Sequence, residues 1–68
     1  MFDPKKAFRE LSGHSFTHAE FRRALERIRA ANLRYLPAEY GTKELADLAH
    51  QKHWLKSEAP GRLKVVVR

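Results

Sequence analysis

Apolar residues recur at helical spacing along most of the chain and switch to alternation near its end. Behind Asp3-Pro4, the residues Ala7, Phe8 and Leu11 form a narrow stripe. Asp is a good N-cap, and Pro suits the first helical position, where its missing N–H costs nothing. This predicts a short first helix with Gly13 as a left-handed stop. About nine residues are marginal as an isolated helix, so it needs packing partners.

The second helix carries two independent start signals. Thr17-His18-Ala19-Glu20 reads as a capping box, with Phe16 and Phe21 at the staple positions around it. From there Phe21, Ala24, Leu25, Ile28 and Asn32 fall on one face, and the helix is expected to reach about Leu33. Arg34-Tyr35-Leu36-Pro37 reads as an extended bridge, because the residue before a proline is pushed out of the helical region. Pro37 to Tyr40 can make one turn before Gly41. Thr42 is the expected N-cap of a third helix from Lys43 to about His53. Its inner face carries Leu45, Leu48, Ala49 and Lys52, and its outer face Lys43, Asp47 and His50, flanked by Glu44 and Gln51.

In the tail, residues 54–58 and 63–67 flank Ala59-Pro60-Gly61-Arg62. Val-rich alternation around a Pro-Gly turn predicts a β-hairpin, with Leu63, Val65 and Val67 inward and Lys64, Val66 and Arg68 outward. The competing reading continues the third helix through Leu55, which keeps helical spacing with Leu45, Leu48 and Lys52.

Length and charge narrow the function. A chain of 68 residues holds one domain, residues 1–68, with a thin core. Enclosing a substrate cleft of several hundred Å³ is hard at this size. The absence of Cys excludes a disulfide framework, a thiol nucleophile and a Cys-ligated zinc site. No apolar run approaches a membrane span and the start lacks a secretory pattern, so no membrane role and a cytoplasmic location are expected. Fourteen Lys+Arg against eight Asp+Glu give a net charge of +6, and the pI is near 10.2. A basic surplus of this kind suits nucleic acid or an acidic protein, although it also serves solubility alone.

The succession of helices, bridge, helix and glycine-turn hairpin resembles the winged helix-turn-helix superfamily. The resemblance is carried by Thr42-Lys43-Glu44-Leu45-Ala46-Asp47-Leu48-Ala49, His53-Trp54-Leu55-Lys56 and Pro60-Gly61-Arg62-Leu63-Lys64-Val65-Val66, and it covers about residues 17–68. It implies an α+β fold of three helices plus a C-terminal β-hairpin. It also implies duplex DNA as partner, with the third helix in the major groove and the wing on phosphate. On that mapping Lys43, His50 and Gln51 are presented by the helix, and Arg62 and Lys64 by the wing. The chain departs from the pattern in carrying Glu44 and Asp47 on the presented helix, where carboxylates repel phosphate. Its densest basic cluster, Arg22, Arg23, Arg27, Arg29 and Arg34, belongs to the second helix and its exit.

Winged helices also serve as protein-binding modules, so an inhibitor or adaptor gripping an acidic partner is the rival reading, and RNA binding through the arginine face a third. Either a monomer or a homodimer suits these readings. The Arg/Glu lacing of the second helix also fits a solvated face. The histidines His14, His18, His50 and His53 complete no zinc set, and Ser12, Ser15 and Ser57 sit in no nucleophile context. No cofactor, metal or catalysis by this chain is therefore expected. Phe2, Phe8, Phe16, Phe21 and Trp54 read as core, and Tyr35 and Tyr40 as candidates for exposed contacts.

Overall fold

The computed structural model describes residues 1–68 in the order α1 (Pro4–Arg9), β1 (Ser15–Thr17), α2 (His18–Ala31), α3 (Thr42–Gln51), β2 (Leu55–Ala59) and β3 (Arg62–Val65). The fold is α+β, three helices against a three-stranded antiparallel sheet of order β1-β3-β2. The helix α1 starts as expected, with the Asp3 carboxylate accepting from Lys6 N–H at 3.3 Å. It is shorter than expected: after Arg9 the chain descends through turns to Gly13 at φ 87°. Its single buried anchor is Phe8, whose ring lies 5.5 Å from that of Trp54.

The strand β1 is an element that the sequence pattern did not reveal. Three residues leave almost no alternation to read, and the strand exists because β3 offers it a ladder, Ser15 opposite Lys64, Phe16 opposite Leu63 and Thr17 opposite Arg62. The ladder extends backward, with Gly13 N–H donating to Val65 O at 2.7 Å and Val65 N–H to His14 O at 3.1 Å. Phe16 therefore serves both the sheet and the staple, its ring 6.2 Å from Phe21.

The start of α2 follows its sequence signals. Glu20 N–H donates to Thr17 Oγ1 at 3.2 Å, and Thr17 N–H to Glu20 Oε1 at 2.9 Å. The helix ends at Ala31, two residues earlier than expected, where Asn32 caps it and sends its side-chain amide to Ile28 O at 2.8 Å. The expected extended bridge is replaced by turns: Tyr35 and Leu36 N–H both donate to Asn32 O, at 2.9 and 3.1 Å.

Gly41, rather than Thr42, caps α3. Its N–H donates to Glu44 Oε1 at 2.6 Å, which makes Thr42 the first helical residue. The helix ends at Gln51, and Lys52, expected on the inner face, is exposed. Beyond it, Trp54 N–H reaches Ala49 O and His53 N–H reaches His50 O, each at 3.0 Å. This is the bonding of a Schellman terminus, and its left-handed residue is His53 at φ 61°. That reversal rules out continuing the helix through Leu55 and delivers the chain into the hairpin.

The hairpin pairs Leu55 with Val65, Lys56 with Lys64, Ser57 with Leu63 and Ala59 with Arg62, with an irregularity between Ser57 and Ala59. Gly61 at φ 77° supplies the positive angle that a Pro-Gly turn needs at its second central residue. Both strands start one residue away from their expected positions, since Trp54 is a core residue preceding β2. The core joins Phe8, Phe21, Leu25, Ile28, Leu45, Ala49, Trp54, Leu63 and Val65, with Phe2, Phe16, Tyr40 and Val67 packed around it. Tyr40, expected as an exposed contact, is thus half-buried, whereas Tyr35 remains 51% exposed. No helix is long and apolar enough to cross a membrane.

Candidate nucleic-acid interface

Burial along α3 follows its sequence period. Leu45 and Ala49 are buried, which turns Lys43, Asp47, His50 and Gln51 to solvent. Glu44 is half-buried, and its carboxylate is engaged by the Gly41 N–H. Its presence in this helix therefore has a local reason, since it satisfies a backbone donor at the N-terminus and complements the helix dipole. Asp47 is left as the solvent-facing carboxylate of α3, between Lys43 and His50 on the same face.

The arginines of α2 do not form one patch. At about 100° per residue, Arg29 and Arg27 fall on opposite flanks of the buried stripe, with Arg22 and Arg23 on the exposed face between them. Arg29 is half-buried and its Nε donates to Tyr40 O at 3.0 Å, tying α2 to the segment that leads into α3. Its guanidinium is a structural tether between these helices. Arg27 borders a groove of about 910 Å³ between α1, β1 and α2, whose apolar lining includes Ala7, Leu11, Phe16 and Ile28. Arg22 and Arg23 are exposed and share a shallow depression with His18 and Glu26. Arg34 is exposed in the turns after α2.

The sheet connects this helix to the hairpin. Arg62 stands opposite Thr17, the cap of α2. Its Nε donates to Ser15 Oγ at 3.4 Å, a long, exposed bond. The Glu20 carboxyl is held below its ordinary pKa, chiefly by the Thr17 backbone N–H and then the Thr17 hydroxyl, with smaller help from Arg62 and Arg23. Arg23, Arg62 and the start of α2 therefore form one electrostatic neighbourhood, although they are distant in sequence. Lys64, half-buried, lies on the solvent face of β3.

Lys56 was absent from the sequence-based set of contact residues. It is exposed directly opposite Lys64. Alternation in residues 54–58 marks its outward direction, but its pairing depends on the register beyond the irregularity at Ser57 and Ala59. The histidines remain dispersed, and no three His, Asp or Glu side chains converge as metal ligands would. No known protein family, curated protein or solved structure matches the chain.

Proposed function

We propose that the chain is a small winged helix-turn-helix domain that binds duplex DNA. On this reading α3 enters the major groove with Lys43, His50 and Gln51 toward base edges. The hairpin carries Arg62 and Lys64 to the backbone, and Arg22, Arg23 and Arg34 add phosphate contacts. The observation that carries the reading is the combination of an exposed third helix with a three-stranded sheet closed by a basic Pro60-Gly61 hairpin. The role of Glu44 in capping α3 gives one of the two carboxylates of that helix a local structural reason. The rival, a module that grips an acidic protein, draws on the same surplus of charge and on Asp47, which disfavours close approach to phosphate.

The test is a titration of labelled random-sequence duplex across a range of salt. Log affinity should fall linearly with log salt, by about 0.9 per phosphate neutralised. Replacing the exposed Arg22 and Arg23 by Ala together should flatten the slope by about 2 units. Absence of duplex binding at about 50 mM salt would pass the lead to the acidic-protein reading.

A further inference from the structure

We infer that Lys56 and Ser15 extend the backbone contacts of Arg62 and Lys64 across the solvent face of the sheet, which makes that face one phosphate-binding surface for the duplex. The inference rests on the proposed duplex DNA reading and deepens it: that reading takes Arg62 and Lys64 to the backbone, and the sheet register adds Lys56 and Ser15 to them.

The register brings these side chains together. Lys64 is on the central strand β3, with Lys56 directly opposite on β2 and Ser15 directly opposite on β1. These residues therefore form one row across the sheet on the side away from Leu55, Leu63 and Val65, which pack on the core. Two residues along β3 on the same side, Arg62 reaches Ser15 Oγ. The Ser15 oxygen accepts there, which leaves its own hydroxyl proton to donate. Lys64 is thus flanked at the ~5 Å spacing of directly paired residues by Lys56 on one side and Ser15 on the other, with Arg62 two residues away on its own strand. Glu58 is the carboxylate of β2, and it lies at the irregularity beyond this row.

Like charges directly opposite in a sheet destabilise it. Lysine on an edge strand has an ordinary explanation, since it discourages pairing with other chains. That explanation covers Lys56 on β2 but not Lys64, which occupies the central strand with a neighbour on each side. Neither of those neighbours is a carboxylate, so within the ladder the charge of Lys64 is met by no opposite charge. A phosphodiester backbone would supply the missing negative charge and relieve the repulsion between Lys56 and Lys64.

Lys56→Glu tests this and separates binding from folding. It converts the repulsive pair into a cross-strand ion pair, so the melting temperature should rise. Affinity for labelled random-sequence duplex should fall about tenfold or more at low salt, for all sequences alike, with a salt slope shallower by about one unit. Lys56→Gln should show the same slope change with a smaller loss. Wild-type binding with affinity and slope unchanged in Lys56→Glu would overturn the inference and leave the duplex reading standing. A loss of affinity together with a lower melting temperature would also overturn it, because the residue would then act through the fold. A wild-type chain that fails to bind duplex at about 50 mM salt would overturn both.

Discussion

Replacing His53 by Gly should stabilise the domain. His53 occupies the left-handed position that closes α3, at φ 61°, and its side chain is exposed. Holding a residue with a Cβ in this region costs roughly 1–2 kcal/mol, and Gly avoids that strain. Gly also gives the unfolded chain more freedom, which returns about 0.5–1 kcal/mol of the gain. Since an exposed side chain contributes little packing, the net expectation is a stabilisation of about 0.5–1 kcal/mol. At ~2.1 cal/mol/K per residue, the 68 residues have a melting entropy of about 0.14 kcal/mol/K. The corresponding rise in Tm is about 4–7 °C, readable by circular dichroism. His53→Ala keeps the backbone strain and should melt close to wild type, whereas His53→Val should melt lower because a β-branched residue resists positive φ. A Gly variant that melts at or below wild type would refute the reasoning, showing that the imidazole makes a stabilising contact larger than the strain. Should His53 be retained for contact with the duplex, the same variant would bind DNA more weakly while melting higher.

Three other expectations follow from the same geometry. Thr17→Ala removes the oxygen that accepts from Glu20 N–H and should cost about 1 kcal/mol in chemical denaturation; an unchanged midpoint would show that the box does not hold the start of α2. Phe8→Ala should cost about 3–5 kcal/mol, because Phe8 is fully buried against Trp54, and for so small a domain the loss should appear as a largely unfolded amide spectrum. The Glu20 pKa is lower in the folded than in the unfolded chain, so its contribution is present above the ordinary glutamate pKa and is lost as pH falls through the folded value. The Tm difference between wild type and Glu20→Ala should therefore be constant near neutrality and shrink on acidification; a difference that widened in acid would contradict this sign.

Local interactions are what the amino-acid sequence determined by itself. The capping box at Thr17 and Glu20, the staple of Phe16 and Phe21, the Asp3 cap, the outward face of α3 and the Pro60-Gly61 turn each involve residues a few positions apart. Their chemistry is therefore present in any short window of the chain. Tertiary structure decided whatever depends on a partner far along the chain. The strand β1 is three residues long and is a strand only because β3 lies beside it. Tyr40 was drawn into the core, and Arg29 was drawn from the surface cluster to the Tyr40 carbonyl. The candidate site divides along the same line. Periodicity alone was enough to show Lys43, His50 and Gln51 on one exposed face. The opposition of Lys56 to Lys64, and the meeting of Arg62 with Ser15, required the sheet register. Register is set by the ladder and by the irregularity beside Ala59, and a shift of one residue would have turned each of these side chains to the opposite face of the sheet.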